Sequence, residues 1–314
     1  MKNFLSLLIA FLVGAFPLLA QTTTGRSITL DTPMGKLAGT LTLPTAAKPP
    51  VVLIIAGSGP TDRNGNNPMM TNNSLKMLAE ELAKQGIASL RYDKRGIAES
   101  QPAGLKEEDM RFDTFINDAV GWINLLKADN QFSKVVVLGH SEGSLIGMIA
   151  ANQAKADGFI SVAGAGLPAD KLIREQMKTQ PPQVADMVNP ALDSLAQGRL
   201  VKNVNPMLGA LIRPSVQPYL ISWFRYDPQA EIKKLTMPVL IIQGTSDIQV
   251  SEEQARLLAN ARPGAQLLII DRMNHVLKES EKEMQANIAT YSNATLPVVP
   301  RLVTATVDFV NRIK

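Results

Sequence analysis

Val135-Val136-Val137-Leu138-Gly139-His140-Ser141-Glu142-Gly143 decides the fold, and Ser144-Leu145-Ile146-Gly147-Met148-Ile149-Ala150-Ala151 follows it at once. Three β-branched residues and a leucine predict a strand buried on both faces of a parallel sheet. The run after Gly143 predicts the start of a helix. Gly-x-Ser-x-Gly between a strand and a helix reads as a candidate nucleophile elbow. Such a turn is tight. Small residues at 139 and 143 let strand and helix backbones approach, and the serine is left on the corner with its hydroxyl exposed. The backbone N–H of Glu142, at the helix N-terminus, would then point to where an oxyanion could form.

The 314 residues are 45% hydrophobic and 19% charged. That predicts one sizeable core with room for an inserted subdomain. The net charge is +4 and spread along the chain, so no footprint for nucleic acid is expected. The absence of cysteine excludes disulfides, thiol catalysis and cysteine metal sites. The only two histidines, His140 and His275, cannot build a histidine-rich metal centre.

Residues 1–20 read as a signal peptide, with Lys2 as the charged start, an apolar run from Phe4 to Phe16, and cleavage near Ala20. The expected location is therefore periplasmic or secreted, with no stable membrane insertion after cleavage. Alternating residues in 27–32 and 36–43 predict a β-hairpin. Val51 to Ala56 predicts a central strand ending in a glycine-rich loop, Gly57 to Asn66. That loop lacks the Gly-Lys-Ser/Thr ending of a phosphate loop and the closing glutamate of a calcium loop. Helices are predicted over 74–85 and 112–128, and strands over 87–92 and 159–163. This alternation indicates a doubly wound, mostly parallel α/β sheet. Residues 167–235 break it with repeated prolines and predict a helical cap insertion. Met207, Tyr219, Trp223 and Phe224 are candidates to line a substrate pocket there. The core would be formed by 21–166 and 236–314, with strands resuming at 239–243 and 265–270.

In an open α/β sheet, chemistry gathers at the carboxyl ends of the strands. Four such ends carry suitable residues: the Gly57 loop, Ser141, Asp247 and His275. A serine hydroxyl needs a base, imidazole suits neutral pH, and a buried carboxylate fixes the imidazole tautomer. His140 is fixed beside Ser141 on the elbow and is expected to turn away from it, which leaves His275 as the base. Asp247 is preferred over Asp271 because Asp271 lies on the same strand end as His275. Ser, Asp, His in chain order matches one fold in particular.

The chain resembles the α/β-hydrolase superfamily, within the bacterial acyl esterases near the serine aminopeptidase branch. The motifs are Leu37-Ala38-Gly39-Thr40-Leu41-Thr42-Leu43-Pro44, Ala56-Gly57-Ser58-Gly59-Pro60-Thr61-Asp62-Arg63, Tyr92-Asp93-Lys94-Arg95-Gly96, the elbow, Gly244-Thr245-Ser246-Asp247 and Asn274-His275. The resemblance implies Ser141 as nucleophile, His275 as base and Asp247 as its orienting carboxylate. It implies an oxyanion hole from the N–H of Glu142 and one N–H of the first-strand loop. Many relatives have His-Gly where this chain has Ala56-Gly57, so Ser58 takes the second donor position, with Gly59 as the fallback. Asp93, Lys94 and Arg95 are expected to shape the corner by ion pairing. The expected function is hydrolysis of small, short-chain carboxylic esters through an acyl-enzyme, with no cofactor or metal and an open oligomeric state. Two rivals stand beside it. One is a peptidase or amidase anchoring a peptide terminus through Glu142, Arg225 or Glu231. The other is a non-catalytic binding protein on the same scaffold.

Overall fold

The computed structural model describes residues 24–178 and 180–314. The expected signal peptide lies outside them. In chain order the elements are β1 Thr24–Thr32, β2 Gly35–Leu43, β3 Val51–Ile55, α1 Ser74–Lys84, β4 Ala88–Tyr92, α2 Phe112–Ala128, β5 Val135–His140, α3 Glu142–Gln153 and β6 Gly158–Val162. There follow α4 Ala169–Met177, α5 Pro182–Ala196, α6 Gly209–Ile212, α7 Gln217–Trp223, α8 Pro228–Lys233, β7 Val239–Gly244, α9 Glu252–Ala261, β8 Gln266–Ile270, α10 Met284–Ala289 and α11 Pro300–Arg312. Short 3-10 turns join several of them.

The eight strands form one sheet in the order β1-β2-β4-β3-β5-β6-β7-β8. β1 pairs antiparallel with β2, and β2 with β4, while every other pairing is parallel. The antiparallel edge is the predicted hairpin. From β3 the chain first moves to β4 on one side and then to β5 on the other. The order reverses between β3 and β5, which pair from Val51↔Val135 to Ile55↔Gly139. The loops after these two strands diverge to opposite faces and leave a crevice between them, the usual ligand position in such sheets.

The apolar runs are buried on both faces, and alternate residues serve opposite layers. Val51, Leu53, Ile55, Val135 and Val137 pack with α2 and α3 around Trp122 and Phe159. Val52, Ile54, Val136 and Leu138 pack with α1 and α11 around Leu78, Leu82, Leu302 and Phe309. Burying such a side chain contributes about 1.5–3 kcal/mol. α1 shows how local sequence fits this scheme: Leu75, Leu78, Ala79 and Leu82 share one face, and Gly86 ends the run with φ +79°.

α4 to α8 lie between β6 and β7; α4 to α7 share an apolar cluster of Ile173, Val188, Leu192, Leu195, Leu208, Ile212 and Leu220, while α8 joins the main core through Ile232. This cap meets the sheet layers through a stack of Trp223 on Phe112 (5.7 Å between centroids) and through the serine hydroxyl of Ser222, which accepts from Phe112 N–H at 2.8 Å. Among the described residues no helix is long and apolar enough to cross a membrane.

Candidate active site

The elbow is as tight as its glycines require. A Cβ on Gly139 would lie 2.1 Å from the Gly143 carbonyl oxygen, and one on Gly143 would lie 2.4 Å from that of Ile55. The helix therefore starts directly against β3 and β5. Ser141 caps α3 with φ 55° and ψ −123°, backbone values that a residue bearing a Cβ rarely adopts. Gly139→Ala is expected to lose on the order of 3 kcal/mol or more, because the obstructing atoms are backbone and cannot rotate away. Urea unfolding, with the melting curve as a second readout, measures it.

β7 ends in the turn that presents Asp247. Its Oδ1 accepts from the backbone N–H groups of Gln249 (2.8 Å) and Val250 (2.9 Å), and its Oδ2 accepts from Gln243 Nε2 (3.0 Å). The loop after β8 presents His275, whose Nδ1–H donates to Asp247 Oδ2 at 2.8 Å. Burial works to raise the Asp247 carboxyl, but His275 and the two backbone N–H groups outweigh it and hold it below the usual range. With Nδ1 committed to the carboxylate, Nε2 is the nitrogen left to act as a base. Ser141, His275 and Ser58 line one cavity of about 270 Å³, together with Gly57, Thr61, Asn67, Asn72 and Tyr291. Asp271, the alternative carboxylate, instead accepts from the Thr245 hydroxyl.

His140 makes a contact that the elbow alone does not imply: its Nε2–H donates to the His275 carbonyl at 2.8 Å, and the two rings lie 4.9 Å apart. It thus holds the backbone of His275. Burial, with a smaller contribution from His275, pushes its pKa from 6.5 down to about 3. The unfolded chain takes up this proton near pH 6.5 and the folded protein only near pH 3. His140 therefore supports the fold fully above the first value and loses that support as the pH falls toward the second. Thermal melts between pH 7 and 4 should show a steeper loss in the wild type than in His140→Gln.

α10 was missing from the sequence reading, since six residues with one capping glutamate, Glu283, give little periodic signal. It matters to the site. The buried Asn287 amide donates to the Ser246 carbonyl (2.7 Å) and to that of Glu281 (3.0 Å), while Asn274 donates to Thr290 Oγ1 (2.6 Å). The Asp247 and His275 loops are thereby stapled to one element.

The corner after β4 shapes the opposite wall. Arg63 grips Asp93 through Nη2 (2.7 Å) and Nε (3.1 Å), and its own N–H donates to Asp93 Oδ1 (2.8 Å), which fixes the glycine-rich loop. Arg95 donates to Asp118 on α2 from Nη2 (2.6 Å) and Nε (3.1 Å). Burial pushes the Asp118 carboxyl up even beside this guanidinium. Lys94 Nζ donates to the Gly57 carbonyl (2.6 Å) and to Glu142 Oε2 (3.0 Å). Tyr219 from the cap donates its hydroxyl to Glu142 Oε1.

A second cavity of about 140 Å³ also reaches Ser141, lined in part by Leu145, Leu167, Leu172, Ile173, Trp223 and Val250. Of the cap candidates, Trp223 lines it and Tyr219 reaches Glu142. Phe224 packs within the cap's apolar cluster, and Met207 is 74% exposed and lines neither cavity. Met207 lies within the Asn205-capped turn Pro206–Leu208, and its exposure there corrects its place as a pocket residue. A wider groove of about 660 Å³ between α1 and α11 shares no residue with the site. Among the described residues no group of three or more His, Asp or Glu is arranged to hold a metal ion.

A serine strained onto a strand-to-helix corner, at the reversal point of an eight-stranded and mostly parallel sheet, is the architecture of the α/β-hydrolase fold. The family described as "Serine aminopeptidase, S33" matches residues 70–218. Among individual proteins, Esterase EstD of Thermotoga maritima is 31% identical over 257 residues, or 80% of this chain. The chain spans 60% of the length of that relative. The fold is shared with Est1E of Butyrivibrio proteoclasticus, solved with ferulic acid, at TM-score 0.60 and 17% identity over 91% of this chain and all of that one. It is also shared with the acylaminoacyl peptidase of Pyrococcus horikoshii, at TM-score 0.57 and 14% identity over 94% of this chain and 42% of that one.

Proposed function

We propose that this protein is a serine hydrolase that cleaves small carboxylic esters of short acyl chains through an acyl-enzyme. The observation that carries this reading is the 2.8 Å bond from His275 Nδ1 to the buried Asp247, with His275 and Ser141 lining the same cavity. Ser141 Oγ attacks the ester carbonyl carbon as its proton passes to His275 Nε2. The carbonyl π electrons become an oxyanion, held by the backbone N–H groups of Glu142 and Ser58. Collapse breaks the ester bond, and His275 delivers its proton to the departing alcohol. Water, deprotonated in turn by His275, attacks the acyl-enzyme and releases the acid and Ser141.

The two cavities divide the substrate between them. The leaving alcohol needs the imidazole proton, so it belongs in the cavity that His275 lines. The acyl chain belongs in the apolar one under Trp223. At about 140 Å³ it is roughly half the size of the cavity that His275 lines, about 270 Å³, which is the basis for proposing short acyl chains. The relationship to Esterase EstD supports the ester reading, though it covers only part of that protein. An aminopeptidase would need a free charged anchor. The Glu142 carboxylate is already held by Lys94 and Tyr219, Glu231 is paired with Lys234, and neither Glu231 nor Arg225 lines either cavity. Residues 1–20 support export as part of the same proposal.

The test uses p-nitrophenyl esters of increasing acyl length, the matching anilides and a fluorophosphonate probe. Stoichiometric labelling, with turnover of acetate and butyrate esters far above that of decanoate and of the anilides, supports the reading. Anilide turnover equal to ester turnover favours the peptidase, and an unlabelled, inactive protein favours a binding role.

A further inference from the structure

Lys94 is a buried cation that the mechanism does not use. The Lys94 and Glu142 side chains are only 3% and 4% exposed, and neither touches the reacting atoms in the steps above. The ammonium is fully engaged: one donor goes to the Gly57 carbonyl, one to Glu142 Oε2, and Nζ lies 5.4 Å from the centroid of the Phe115 ring. The other carboxylate oxygen of Glu142 is held by Tyr219. Burial, together with Glu142, pushes that phenol well above its usual range, so it stays a hydroxyl donor.

What Lys94 grips is informative. A peptide unit is planar and trans, so its C=O and the next N–H point in opposite directions. By holding the Gly57 oxygen at 2.6 Å, Lys94 fixes the plane that also contains the Ser58 N–H and turns that N–H away from itself. Ser58 lines both cavities that meet at Ser141. The same ammonium holds the side chain of Glu142, the residue that supplies the other N–H. We infer that Lys94 is the positioning residue of the oxyanion hole: a single buried ammonium aligns the Gly57–Ser58 peptide and the first residue of α3, and the cap's Tyr219 completes the network through Glu142. This rests on the ester-hydrolase reading. It also selects Ser58 over Gly59 as the second donor, since only the Ser58 N–H shares a peptide with the anchored carbonyl.

An ion pair that only stabilised the fold would behave differently when neutralised. Lys94→Met leaves Glu142 buried and unpaired, which costs stability by itself. Lys94→Met/Glu142→Gln removes both charges but still leaves the Gly57 carbonyl without its anchor. The experiment follows melting temperature, kcat and KM for p-nitrophenyl butyrate, and inhibition by an aryl trifluoromethyl ketone, whose hemiketal oxygen occupies the oxyanion position. The double variant should regain thermal stability relative to the single one. In both, kcat should stay lower by roughly 10²-fold, the loss typical of one oxyanion donor. KM should change by less than about threefold, because the lost interaction is made in the transition state. Affinity for the ketone should fall by the same factor as kcat/KM. A double variant that recovers both stability and wild-type kcat overturns the inference, and so does a loss carried by KM with ketone affinity unchanged. A wild-type protein that neither labels nor hydrolyses esters is a distinct outcome, because it removes the hydrolase reading itself.

Discussion

Ser141→Ala is expected to lower ester turnover by at least about 10⁴-fold and to abolish fluorophosphonate labelling, with the melting temperature unchanged or raised. The magnitude follows from the unit character of such a site. Without the Oγ there is no acyl-enzyme, and the remaining groups can only assist direct attack by water. The stability expectation has a separate cause. Ser141 sits at φ 55° and ψ −123°, and its conformation is imposed by strand and helix packing rather than by its hydroxyl. Removing the hydroxyl leaves that packing untouched. Stopped-flow release of p-nitrophenol checks the kinetics: the wild type gives a burst where deacylation is slow, and the variant gives none.

Asp247→Asn is expected to lower kcat by about 10⁴-fold while the fold survives. The carboxylate accepts four hydrogen bonds, from Gln249 and Val250 on Oδ1 and from Gln243 and His275 on Oδ2. With the two backbone donors on the amide oxygen, the amide nitrogen faces His275 Nδ1 and donates to it. The imidazole proton then moves to Nε2, the nitrogen that should accept the proton of Ser141, and the base is lost by tautomer rather than by geometry. Raising the pH should recover part of the rate, as hydroxide substitutes for the missing base. A variant with undiminished kcat at pH 7 would remove Asp247 from the mechanism.

The frame was legible because its signals are local. Continuous β-branched runs mark β3, β5 and β7, and the elbow glycines are demanded by backbone atoms within four residues or on the adjoining strand. Ser141, Asp247 and His275 could be ordered because each follows a strand. What escaped depends on contacts distant in the chain. Lys94 meets Gly57 and Glu142 across 37 and 48 residues, Tyr219 meets Glu142 across 77, and His140 meets the His275 carbonyl across 135. No periodicity encodes such pairs. The cap was harder still: its short helices take their stability from mutual packing, so a methionine's side of the helix could not be read, and Met207 was assigned to a pocket when it faces solvent.

Helices α4 to α7 close on an interior of their own, tied outward by Tyr219 on Glu142, Trp223 on Phe112 and Arg213 on Glu107, while α8 packs into the main core through Ile232. Heritable change can therefore accumulate within α4 to α7 at little cost to the sheet. On the proposed reading, remodelling Ile173, Leu172 or the neighbourhood of Trp223 changes which acyl groups fit, while the elbow and its lysine stay as they are.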